Sequence, residues 1–162
     1  MNSNRHEHKY TTQVEWTGNL GRGTGGYRTY SRDHIISVAG KPDIAGSADP
    51  AFRGDPAHYN PEELLVASLS ACHMLWYLHL CAEAGVVVRE YSDRAEGMMA
   101  EASDGGGRFE EVVLRPVVLL EQGNDSAMAE RLHARAHSQC FIAGSVNFTV
   151  RCEAVIRIGV LA

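Results

Sequence analysis

The chain has 162 residues, a formal net charge of −5 and 44% hydrophobic residues, enough for one domain of ordinary size with a real core. The acidic balance argues against a nucleic-acid surface. No stretch of about 18 apolar residues is free of charge or histidine, which argues against a membrane span. The opening MNSNRHEHK is polar, without the apolar centre of a secretion signal, so residues 1–9 read as a flexible tail and the chain as cytoplasmic. Its four cysteines, Cys72, Cys81, Cys140 and Cys152, are too few for a disulfide-stapled scaffold and form no CxxC pair.

In chain order, YTTQVEW (10–16) alternates as a strand. The glycine-rich GNLGRGTGG turns toward a second strand near Tyr27–Ser31, and HIISVAG (34–40) gives another. It lacks the GK[ST] ending of a phosphate loop. Residues 40–59, rich in Pro, Gly and Asp, read as a long ordered loop, a length that often serves function. A helix follows. Asn60 suits its N-cap, Pro61 its first turn, Glu63 a reciprocal cap, and Gly85 its stop. Leu64, Leu65, Leu69, Cys72, Leu75, Trp76 and Leu80 recur at helical spacing, with Val66, Met74 and Leu78 widening the stripe, so this helix is expected to be central and covered on most sides. Residues 86–102 and 109–120 read as two strands joined through SDGGG, residues 125–140 as a second helix, and residues 145–160 as a closing strand. The pattern predicts an α+β fold with helices against a mostly antiparallel sheet.

Chemistry concentrates in the two helices. Cys72 reads either as a small buried hydrophobe or as a nucleophile, and the second reading needs a cation, because the thiolate reacts and the helix itself supplies no Lys or Arg. Cys140 ends the second helix and is a candidate disulfide partner; Cys81 and Cys152 read as packing residues. His133, His137 and Cys140 fall within two helical turns and could ligate a metal, although HARAHSQC equally reads as a half-exposed helix and no metal is expected. His73 and His79 read as core or boundary histidines.

NPEELLVASLSACHM resembles the helix signature of the OsmC/Ohr family (osmotically inducible protein C and organic hydroperoxide resistance proteins), with Glu62 ten positions before Cys72, and AHSQCFIAGSV resembles its second-cysteine region. The resemblance implies a single OsmC-like domain over residues 1–162, with antiparallel sheets packed on two central helices in an intertwined homodimer. It implies a thiol peroxidase that reduces organic hydroperoxides, with Cys72 peroxidatic and Cys140 resolving. It further implies an arginine that stabilises the thiolate, Glu62 holding that arginine, and an external reductant that is a lipoyl-type or other small dithiol, with no bound cofactor. Arg53 suits the arginine of one branch, Arg22 or Arg28 that of the other. The alternative is a non-catalytic relative that binds a small apolar ligand or senses oxidants. Ten residues of α-helix rise about 15 Å, so a Glu62 that shares a site with a Cys72 serves the cysteine of another subunit if the helix is continuous.

Overall fold

The computed structural model describes residues 6–159; the first five residues of the expected tail lie outside the described residues. Two compact units divide the chain after Leu64, within the first turn of α1.

The first unit is a meander of β1 (Gln13–Trp16), β2 (His34–Ser37) and β3 (Ile44–Gly46). Both pairings are antiparallel, with Val14 opposite Ile36 and Ile35 opposite Ala45. The strand expected near Tyr27–Ser31 is absent; turns stand there, because the Arg32 guanidinium lies 4.4 and 4.2 Å from the Tyr27 and Tyr30 ring centres and donates to both their carbonyls. The long loop contains β3 and a 3-10 turn over Pro50–Phe52, capped by the Asp49 carboxylate through Ala51 N at 2.7 Å. No hydrophobic side chain of the described part of this unit is buried, and Val14, Leu20 and Tyr27 are well exposed. Such a sheet does not stand alone in water.

The helix α1 (Pro61–Glu83) starts as its sequence predicts: Asn60 Oδ1 accepts from Glu63 N at 2.7 Å and Glu63 Oε2 accepts from Asn60 N at 3.1 Å. It ends before Gly85, whose φ of 71° the missing side chain permits.

In the second unit each expected long strand is two. The order is β4 (Val88–Asp93), β5 (Glu96–Glu101), β6 (Gly107–Leu114), β7 (Pro116–Leu120), α2 (Ser126–Gln139), β8 (Thr149–Cys152) and β9 (Val155–Ile158). One sheet is ordered β4-β7-β9 and another β5-β6-β8. The β4–β7 and β5–β6 pairs are antiparallel, whereas β8 joins β6 and β9 joins β7 in parallel. The strands break at a polar corner where Arg115 N donates to Asp93 Oδ1 at 2.7 Å and the Arg115 guanidinium pairs with Glu96 and Glu153.

Two apolar clusters hold these sheets. Tyr77, Leu80 and Cys81 of α1 pack with Leu132 and Ala136 of α2 and with Val118 and Leu120 of β7. Leu69 of α1 packs with Val112 and Leu114 of β6. The buried residues of α1 are Leu69, His73, Tyr77, Leu80 and Cys81, a single stripe at helical spacing. The helix is therefore not covered on most sides as its composition suggested: Leu75, on another face, is 63% exposed. By length and composition alone α1 could also cross a membrane, with a mean hydropathy of 1.5 over its most apolar window; its buried stripe makes it the core helix of this unit.

Candidate functional site

The structure brings Cys72 of α1 and Cys140 at the end of α2 together as free thiols. Cys140 is the C-cap of α2, with extended backbone, and its N–H donates to His137 O at 3.3 Å. Its side chain turns inward, where Sγ accepts from Ala143 N at 3.4 Å. Cys140 is buried and Cys72 half-buried. Burial and then the adjacent Cys72 thiol push the Cys140 thiol up to about 11, against the pull of the Ala143 and Ile142 N–H groups. Cys140 is thus protonated at neutral pH, beside a thiol that solvent reaches. Trp76, one turn after Cys72, and Phe141, next to Cys140, meet edge to face with ring centres 5.6 Å apart. Among the described residues, no arginine figures among the groups acting on Cys140.

The predicted activating residues lie in the first unit. Arg53 is exposed and caps the 3-10 turn with a left-handed backbone, φ 68° and ψ 28°, the only such non-glycine among the described residues. Its N–H donates to Pro50 O and that of Gly54 to Asp49 O, both at 3.0 Å, so the backbone here is locked. A side chain at position 54 would collide with the Ala48 carbonyl. Asp49 and Asp55 accept from Ala51 N and Ala57 N. Among the described residues Arg53 makes no ion pair. Glu62 is half-buried in the first turn of α1; Arg22 and Arg28 are exposed in the glycine-rich turns.

A second constellation was not foreseen. His133 meets neither His137 nor Cys140 as a ligand set; it meets His73 and Cys152. His73 Nε2 and His133 Nδ1 are 3.0 Å apart, and Cys152 Sγ lies 3.6 Å from the first and 3.8 Å from the second. Both imidazoles are buried, and Tyr77 stacks on His133 with ring centres 3.8 Å apart. Burial is the main cause that holds His73 down to about 4 and His133 to about 3, and it raises Cys152 to about 11, so all three are uncharged at neutral pH. Spacing could not reveal the cluster, whose members stand on α1, α2 and β8; the one cue was His73 falling on the stripe of Leu69, Tyr77 and Leu80.

A family model described as OsmC-like protein matches residues 54–154, from just after Arg53 through both helices to the end of β8. An OsmC-like protein of unknown function from Vibrio cholerae is 33% identical, with a TM-score of 0.82 over 92% of this chain and 100% of that one. An organic hydroperoxide resistance protein from Legionella pneumophila is 19% identical, with a TM-score of 0.66 over 93% and 99%. One from Elizabethkingia anophelis, with thiocyanate bound, is 18% identical, with a TM-score of 0.66 over 95% and 100%. No curated protein matches. The fold, the meeting of the two helical cysteines and the matched span converge on one conclusion: this chain belongs to the OsmC-like family.

Proposed function

We propose that the protein is a cysteine-based peroxidase that reduces organic hydroperoxides to alcohols in the cytoplasm, using Cys72 and Cys140. The observation that carries this reading is the meeting of a half-buried Cys72 with a buried Cys140 brought from separate helices. Cys72, as thiolate, attacks the distal oxygen of the hydroperoxide. The O–O bond breaks, the alkoxide takes a proton and leaves as alcohol, and Cys72 becomes a sulfenic acid. The Cys140 sulfur then attacks the Cys72 sulfur, the S–O bond breaks, and the hydroxyl leaves with the Cys140 proton as water. An external dithiol, lipoyl-like in the family's manner or another small dithiol, restores both thiols by exchange.

The thiolate needs a cation. Arg53 is the choice: it is exposed, unpaired among the described residues, and held on a locked loop in a backbone conformation that costs about 1–3 kcal/mol, the kind of strain that collects at functional sites. In this reading Glu62 orients it. Because α1 is unbroken from Pro61 to Glu83, Glu62 serves the thiols of a second copy of the chain. A homodimer also covers what one copy leaves bare, the apolar first unit and the Leu75 face of α1.

The test is a titration of the reduced protein with cumene hydroperoxide. Two thiols per chain should disappear rapidly and return with dihydrolipoate. Cys72→Ser should abolish the loss. Cys140→Ser should stop at a sulfenic acid that dimedone traps. A wild-type protein whose thiols survive the peroxide would overturn the reading in favour of a non-catalytic binder.

A further inference from the structure

We propose that His73, His133 and Cys152 form a binding site for a thiophilic d10 cation, zinc(II) or copper(I), separate from the Cys72–Cys140 pair. Two imidazole nitrogens and one sulfur are a donor set for such ions and not for calcium or magnesium. The three donors converge from α1, α2 and β8, so the fold and not one flexible loop sets their spacing. Zinc bonds of about 2.0–2.1 Å to nitrogen and 2.3 Å to sulfur place tetrahedral donors about 3.3 Å apart for N and N, and about 3.6 Å for N and S. The observed separations of 3.6 and 3.8 Å to Cys152 Sγ already fall there.

The nitrogens themselves are 3.0 Å apart and must open by a few tenths of an ångström. The two rings are parallel within 2°, and the 5.3 Å between their centres is what a 3.0 Å nitrogen contact leaves when the rings lie end to end. The unloaded pair is thus joined by an in-line N–H···N hydrogen bond, and to take an ion both rings turn so that their lone pairs converge toward Cys152 Sγ. The balance is simple. The shared proton moves to the outer nitrogen of its own ring, His73 Nδ1 or His133 Nε2. The Cys152 thiol loses its proton to solvent, and three bonds to the metal form. Cys152 is half-buried, and the next residue, Glu153, lines a surface cleft with Asp93, Arg115 and Ala154. The Asp93 carboxylate acts electrostatically on both His73 and Cys152, and favours a cation between them.

The experiment uses the full chain, freed of metal. Cobalt(II) should give a thiolate charge-transfer band at one equivalent, removed by zinc(II). The Cys72→Ser/Cys140→Ser double variant should keep the band, and Cys152→Ser and His133→Gln should lose it. Zinc should raise the melting temperature of the wild type and of the double variant, and leave that of Cys152→Ser where it was. X-ray absorption on the zinc-loaded double variant, which needs no change in the site, should report one sulfur and two imidazole nitrogens. No band in the wild type, a band that follows Cys72, or a shell without sulfur would reduce the trio to a hydrogen-bonded core pair beside a thiol. Peroxide consumption by the wild type is scored separately and neither outcome depends on it.

Discussion

Single side chains decide whether the chemistry and the local turns are in place. Arg53 combines a guanidinium that makes no ion pair among the described residues with a left-handed backbone. Arg53→Gly should leave stability to urea unchanged or raise it by about 1 kcal/mol, since glycine adopts that φ without strain. Arg53→Ala keeps the strain. Both should slow peroxide consumption by at least about tenfold, because removing an adjacent cation raises a thiol pKa by one unit or more. Equal rates for wild type and both variants would move the role to Arg22 or Arg28. Asn60→Ala should cost about 1 kcal/mol in urea unfolding, as other N-caps do. The cap was legible because both its partners are short-range, Asn60 with Glu63. The Arg53 conformation was not, because nothing in PAFRG marks a positive φ when the glycine follows the residue that adopts it. Asp33 gives a pH dependence. Hydrogen bonding from Ser31 first, and from Ser47, holds its carboxyl below the ordinary 3.8, with His58 at 3.6 Å adding to this. A depressed carboxyl stabilises the fold fully above the unfolded value and loses that contribution as pH falls through the folded one. Urea midpoints of wild type and Asp33→Asn should therefore differ by a constant amount above about pH 5, and converge in more acid solution.

At the level of helices and strands, apolar content and burial part company in α1. The stripe Leu69, His73, Tyr77, Leu80 faces the sheets and α2, while Leu75 is left to solvent in a single copy. Leu132→Ala, at a fully buried position of α2, should cost about 2–5 kcal/mol. Leu75→Glu should cost the isolated chain little and convert the proposed dimer to monomer in light scattering coupled to gel filtration. A Leu75→Glu protein that stays dimeric would place the interface elsewhere. The first helix was readable from its cap and period and the second as residues 125–140; Asp125 caps the latter, its carboxylate accepting from Met128 N at 3.0 Å. The strand breaks were hidden because Val and Leu continue on both sides of Arg115. Only the half-buried Asp93 contact and the Glu96–Arg115–Glu153 pairing turn the chain there, and these depend on partners distant in sequence.

Across the whole molecule, what sequence withheld is what long-range pairing creates. The parallel partners β6–β8 and β7–β9 and the contact of His73 with His133, 60 residues apart, arise only on folding. The resemblance carried by NPEELLVASLSACHM reached the fold and the two thiols, and had no means of reaching the histidine pair. The parallel partnerships also set an order of events during synthesis. Neither sheet of the second unit gains its third strand until residues 149–158 have emerged from the ribosome. A nascent chain therefore waits with the open flanks of β6 and β7 unpaired, the condition in which strands recruit one another between molecules. A chain stopped after Val146 should accumulate in inclusion bodies and bind chaperones during translation, where the chain carried through Ile158 is released from them.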